Sequence, residues 1–370
     1  ASAPVTPGRF NSNHIYLKDI VATLSLKALN SDSINASIKR MSLEEEESGF
    51  CLKKLSLKVV GNQQGLRIDN FGIELPHTHL QMDTLQMSYD SLGSFSRFAY
   101  EVPFQFRLLP SQLTPSDLAA FVPTFRGFHE PLQLEIRAEG PLNQLHCPLL
   151  RIEADNHFNL QGDLSLQDLT TPEDAFVFGH LSRLHADQRG VAFLMRNLNP
   201  DHPDVPPVLQ RMGNVSFRGE VSGYFNDLVM YGRVHTDVGD LQTDLKISSD
   251  KEKQLFAYSG SMKTTDWNLQ QMLGNKKLGH VTFNLGVDGQ HTASLYPTIM
   301  LKGEVQQIDY SGYQYENIRL DGEYKQGGFN GQLTIDDPNG SLHVNGAINT
   351  ESRIPTFNFL ATVNRVRLND

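Results

Sequence analysis

One short pattern recurs through the chain and limits its fold more than any other feature: an apolar residue, a spacer, a glycine, a second spacer and a second apolar residue. Four copies stand at Leu301–Val305, Leu320–Tyr324, Phe329–Leu333 and Val344–Ile348, and two earlier ones at Leu160–Leu164 and Phe217–Val221. In a strand, side chains alternate between faces, so both apolar ends share one face with the glycine and the polar spacers take the other. Glycine weakens a strand unless it marks a bend, a bulge or a close approach to the backbone. The pattern therefore predicts a long, curved sheet with one apolar face, bent at Gly303, Gly322, Gly331 and Gly346.

The same alternation fills most of the chain. From Ile15 to Tyr89 it reads as successive strands, with turn chemistry at Gly61-Asn62 and Gly65. Tyr100–Leu108, Leu132–Ala138, Leu149–Ala154 and Phe158–Leu166 continue it. After residue 214 the series resumes through Val215–Val221, Met230–Val238, Leu241–Ile247, Phe256–Met262 and Val281–Val287, and runs on to Val363. The count is about twenty strands, whereas open sheets of more than about ten usually curl or split. Phase slips at Gln307-Ile308 and Arg365-Val366 predict bulges.

Two places predict short helices. Thr114-Pro115-Ser116-Asp117 supplies an N-cap, a proline at the first helical position and an early acid, giving a helix near 115–122 that Pro123 ends. Thr264 to Gly274 reads as a second capped helix, near 266–273, with the single tryptophan, Trp267, anchoring it on the sheet. Residues 171–213 contain Pro172, Pro200, Pro203, Pro206 and Pro207 and read as an irregular seam. Within it, strands are expected around Ala175–Leu184 and Val191–Leu194, and a helix at Val208–Met212. The division is 1–170, 171–213 and 214–370.

Composition and motifs narrow the function. A net charge of −10 argues against a nucleic-acid partner, because phosphate neutralisation needs surplus Lys and Arg. There is no glycine-rich phosphate loop before a helix, no G-x-S-x-G, no HExxH and no Cys-x-x-Cys. The reading is a protein that is not an enzyme, with no catalytic residue and no cofactor. His77 and His79 share a strand face as a metal pair would, but lack a third ligand, and no metal is assigned. Asp336–Gly340 resembles part of a calcium loop without its terminal Glu and reads as a hairpin turn. Glu44–Glu47 reads as a solvated tip. Cys51 and Cys147 read as two buried thiols, a single disulfide being the alternative. No stretch approaches the roughly twenty apolar residues of a membrane helix. Ala1–Gly8 reads as a linker or junction, and Arg365–Asp370 stops after a strand pattern, so a piece of a longer protein is expected.

Several segments resemble the repeats of the TamB and AsmA-like family. They are Asp266–Gly274 followed by Lys277–Leu285, Tyr310–Gly322 running into Gly327–Gly340, Leu17–Leu26, and Ser48–Val60. The resemblance covers most of the chain and implies a β-taco, an elongated sheet folded lengthwise into an apolar groove. It further implies an internal segment of a protein held in the inner membrane by an N-terminal helix absent here and reaching across the periplasm. Its cargo would be phospholipid moving toward the outer membrane, and an Omp85-family barrel would be a partner through regions outside this segment.

On that reading the groove is lined by Val215, Phe217, Val221, Val281, Phe283, Leu285, Leu301, Val305, Phe329, Leu333, Leu342, Val344, Phe357 and Phe359. Alternation alone leaves two other readings open. A membrane barrel would carry aromatic girdles and evenly sized strands, which are not seen. An ordinary core between packed sheets would make the chain a scaffold or adhesin-like module.

Overall fold

The computed structural model describes residues 8–11, 13–30, 32–171, 174–198, 204–250, 255–292, 295–325, 328–349, 355–364 and 367. The reading of Ala1–Pro7 as linker, three of the seam prolines (Pro172, Pro200 and Pro203) and the phase slip at Arg365-Val366 lie outside these residues.

Among the described residues the chain is all-β and antiparallel, with twenty strands and a few short helices, and its sheet is not closed into a barrel. It divides into two units, Ala1–Asp204 and Val205–Asp370. In the first unit the strands are β1 (Leu17–Leu29), β2 (Ser33–Glu45), β3 (Cys51–Asn62), β4 (Gly65–Glu74), β5 (His79–Ser88), β6 (Phe104–Leu113), β7 (Leu132–Gly140), β8 (Gln144–Ala154), β9 (Phe158–Gln167) and β10 (Phe176–Ala186). Helices α1 (Phe98–Glu101) and α2 (Gln188–Leu198) accompany them. The second unit holds α3 (Pro207–Met212), β11 (Val215–Tyr224), β12 (Asp227–Thr236), β13 (Gly239–Asp250), β14 (Leu255–Asn268), α4 (Leu269–Leu273) and β15 (Leu278–Thr292). It continues with β16 (Leu295–Tyr310), β17 (Tyr313–Lys325), β18 (Gly328–Asp337), β19 (Gly340–Asn349) and β20 (Thr356–Asn364). Within each unit every strand pairs with the next in sequence, so each is a ten-stranded meander.

The motif glycines sit where neighbouring backbones close in. Gly303 has φ +146° and Gly346 φ +145°, a region that L side chains rarely adopt. A Cβ on Gly303 would lie 2.4 Å from the carbonyl oxygen of Asn284, and one on Gly346 2.3 Å from that of Asn358. Gly322 and Gly331 face each other across β17 and β18, with the Cα of Gly322 2.4 Å from where a Gly331 Cβ would stand. The bulge expected at Gln307-Ile308 lies one residue earlier: Thr282 pairs with Gln307 but Phe283 with Val305, leaving Gln306 as the extra residue. The turn expected at Asp336–Gly340 joins β18 to β19 through an Asp337–Gly340 pair.

Several local expectations are corrected. The helix near 115–122 is a single 3-10 turn, Pro115–Leu118, followed by a second at Pro123–Gly127. The Thr114 hydroxyl does not cap it, because it donates instead to the carbonyl of His77 at 3.0 Å. The strand around Val191–Leu194 is part of helix α2. A short apolar run does not distinguish helix from strand, and here Asp187 decides it by accepting from the N–H groups of Arg189 and Gly190 at 2.8 Å each. The helix near 266–273 begins only at Leu269: Asn268 accepts from the Gln271 N–H at 2.9 Å, and Trp267 stays in β14. Gly274, at φ +69°, closes this helix as expected.

The acidic tip is also only partly solvated. Glu45 is 2% exposed. Its carboxylate accepts from the N–H groups of Tyr16 at 3.1 Å and Ser48 at 2.8 Å, and from the Ser48 hydroxyl. Cys51 and Cys147 are both free thiols, each pushed up in pKa chiefly by burial.

Replacing Gly303 or Gly346 with valine forces a side chain into that backbone region and against a carbonyl, and is expected to cost at least about 1–3 kcal/mol. Gly127, with nothing within 4 Å of its would-be Cβ, should accept alanine with little change in thermal melting. For Glu45, the Ser48 hydroxyl outweighs burial and the backbone donors add to it, holding the carboxyl below the usual glutamate range. A lowered folded-state pKa gives stability that is complete above the unfolded value and lost as pH falls through the folded one. The melting temperature of the native protein should therefore exceed that of Glu45→Gln at neutral pH, and the gap should shrink on acidification below about pH 4.5.

Candidate functional site

Strand register gathers the apolar side chains of the second unit into rows that run across the strands. One row reads Val221, Met230, Leu245, Gly260, Val287, Leu301, Gly322, Gly331, Gly346 and Phe359, one residue from each of β11 to β20. Beside it run Met262, Leu285, Gly303, Leu320, Leu333 and Val344. Beyond that come Phe283, Val305, Ile318, Ile335 and Leu342. On the other flank lie Tyr258, Gly289, Ile299, Tyr324, Phe329, Ile348 and Phe357. Val215 pairs with Thr236, Phe217 with Val234, and Val281 with both Trp267 and Ile308. All fourteen residues expected from the sequence therefore share one face.

None of these residues is charged. The charges stand on the opposite face, where Lys302 meets Asp321 at 2.8 Å and Lys246 meets Asp227 at 2.9 Å.

The face is not uniform. At the end nearest the helices, Val238, Trp267, Val281, Leu285, Val305 and Ile318 form a buried cluster. Met212 of α3 and Leu269 and Met272 of α4 pack against it. The Trp267 indole N–H points at the Met272 sulfur, 3.1 Å away. Three expected lining residues, Val281, Leu285 and Val305, are thus fully buried, and Phe217 is buried outside the cluster, with exposures of 3–9%. Phe283 and Leu333 pack against the same cluster. Away from it the side chains are half-buried: Val221, Met230, Leu245, Leu301, Phe329, Leu342 and Val344. On β20, Phe357 is 62% and Phe359 44% exposed. The half-buried and exposed side chains along these rows leave much of the face without a second layer over it.

Aromatic rings floor this surface at the glycines. The Tyr258 ring lies where a Cβ of Gly289 would be, 2.3 Å from that position, and the tip of Phe329 covers Gly322 at 2.6 Å. Burial there raises the Tyr258 phenol above its ordinary pKa.

The first unit carries a comparable face that was not singled out from the sequence. Met82, Leu108, Ile136, Leu150 and Gly162 fall in one row, and Leu134, Ile152, Leu160 and Leu184 in another. The signal was the same period-two alternation, visible strand by strand but not the register that joins the strands. His77 and His79 are engaged otherwise than as a metal pair. His77 bonds Asp117 at 3.1 Å through Nδ1, and His79 lies 3.9 Å from Glu74.

Comparison with family models, with curated proteins and with solved structures finds no match. The physical case for the site therefore rests on its geometry.

Thr243 provides a test of how dry the face is. It is 4% exposed, its hydroxyl has no hydrogen-bond partner, and it pairs with Met262. A buried orphan hydroxyl costs about 1–3 kcal/mol. The isosteric Thr243→Val is therefore expected to raise the denaturation midpoint in urea.

Proposed function

We propose that the apolar face is a non-enzymatic lipid-holding surface, a conduit segment that shelters phospholipid acyl chains while their head groups stay in water. The observation that carries this reading is the row from Val221 to Phe359, uncharged from end to end and largely half-exposed. An acyl chain laid along it gains about 0.8 kcal/mol for each methylene taken out of water. No covalent step is needed. The resemblance to TamB and AsmA-like proteins supports the same reading and extends it to a periplasmic segment of a longer, inner-membrane-anchored protein. There it would carry lipid toward the outer membrane, with an Omp85-family barrel engaged elsewhere in the whole protein.

The buried cluster around Trp267 favours a second, local role. That end of the face is an ordinary packed core, as a scaffold module would have throughout. The conduit reading therefore assigns lipid contact to Leu245, Leu301 and Phe329, and structural support to Phe217, Val281, Leu285 and Val305.

Lipid extraction and mass spectrometry of the purified chain should recover bound phospholipid. Leu245→Asp and Leu301→Asp should lower the recovered amount about tenfold, since a buried unpaired carboxylate costs several kcal/mol. Leu360→Asp, at a 75% exposed position on the other face, should not change it. Absence of lipid from the native protein, or equal recovery from all three variants, would favour the scaffold.

A further inference from the structure

The first unit contains a cavity of about 690 Å³ formed where the β8–β9 turn meets helix α2, within the range of small-molecule sites. Its floor is apolar and rigid. Phe193 is 7% exposed, and its ring is held between Phe128 and Phe158 at centroid distances of 5.3 and 5.8 Å. Ala154 completes the floor, next to the row Leu134, Ile152, Leu160 and Leu184 on the same face.

The rim is charged, and most of its charges are already matched. Glu130 meets Arg196 at 2.8 Å. Glu153 accepts from Asn159 at 2.6 Å and lies 3.2 Å from Arg151. His157 is fixed by Asp187, 2.7 Å from its Nδ1. Two groups remain. The Arg189 guanidinium lies 3.2 Å from His157 Nε2 and meets no carboxylate among the described residues. The Asp155 carboxylate, with its side chain 79% exposed, stands 3.6 Å from the same nitrogen. A cation and an anion thus flank one imidazole, each touching its Nε2 and neither paired with an opposite full charge among the described residues, at the mouth of an apolar-floored cavity.

We infer that this cavity binds the head group of a zwitterionic phospholipid. The phosphate sits on Arg189, the ammonium lies against Asp155 with Glu153 behind it, and the first methylenes rest on Phe193 and Ala154. The pairing needs both signs of charge in the ligand: a phosphate alone leaves Asp155 facing a like charge, and an anionic lipid without an amine does the same. The inference takes from the conduit reading only that the amphiphile is a lipid. It places head-group selection in the first unit, on residues separate from the second-unit rows.

Isothermal titration of the full chain with dihexanoyl phosphatidylethanolamine, below its micellar concentration, tests it directly. Dihexanoyl phosphatidylglycerol and inorganic phosphate serve as the two competing chemistries. Saturable binding of the ethanolamine lipid is expected, with Arg189→Glu and Asp155→Lys each weakening it at least about tenfold. Both side chains are exposed, so the far-UV circular dichroism and melting of these variants should match the native protein. Arg189→Gln and Asp155→Asn, which remove charge without reversing it, should fall between. Equal binding of phosphatidylglycerol or of phosphate alone, or unchanged binding in the Arg189 and Asp155 variants, overturns the inference. Leu301→Asp separates the two proposals, since it should deplete co-purified lipid while leaving this titration intact.

Discussion

Where Gly322 and Gly331 oppose each other on adjacent strands, no side chain fits between the two backbones, since the Cα of one stands 2.4 Å from the Cβ site of the other. Regular neighbours keep their Cβ atoms about 4.5–5.5 Å apart. At this position only glycine fits on either strand of the pair. Gly303 and Gly346 reach the same result differently, through a backbone conformation open only to glycine. Bending without side chains leaves shallow gaps, and the rings of Tyr258 and Phe329 lie across two of them. Close backbone approach and a filled apolar floor are thus produced together.

Helices settle which part of that floor is closed. Arg211 of α3 donates to the carbonyl of Leu273 at 3.1 Å, and Gln271 of α4 donates back to the carbonyl of Arg211 at 3.3 Å. The two short helices brace each other over the end of the sheet and turn the side chains around Trp267 into a packed core. Beyond their reach most of the same rows stay half-open, Val287 and Phe217 being buried without helix contact. A residue's position along its strand therefore matters more than its hydrophobicity: Val305 is 7% exposed, while Leu301, four residues earlier on the same strand, is half-buried.

Much of this was legible in the sequence, because period-two alternation and glycine both act locally. The strand count, the shared face of the fourteen lining residues, the bulge near Gln307 and the β18–β19 turn follow from such local signals. Helix α2 did not, because Val191-Ala-Phe-Leu194 fits either period and Asp187, the residue that caps it, lies outside that run. Glu45 was hidden for a similar reason. Its identity suggests solvent, and only the folded turn brings the Tyr16 and Ser48 donors around it. The split of the lining residues into core and open surface depends on α3 and α4 packing from a distance, which no strand pattern encodes.

A track that crosses strands depends on register rather than on any single strand, and a slip of one residue would turn a whole strand's apolar set to the charged side. The turns guard against this. Tyr310 pairs with Tyr313 across a two-residue turn whose members, Ser311 and Gly312, have φ values of +51° and +86°, the signature of a type I′ hairpin. Tyr224–Asp227, Thr236–Gly239 and Asp337–Gly340 close equally short turns. Such loops fix which residues face each other. The bulge at Gln306 lies beside the packed end, and a second shift, between Gln290 and Thr292, falls at the far end of the β15–β16 pair. Farther along β16, where the face is open, Val287 faces Leu301 and Leu301 faces Gly322 without interruption. The register is thus unbroken from Phe283 to Gln290 along β15, and the two irregularities fall at its ends, one of them beside the helices.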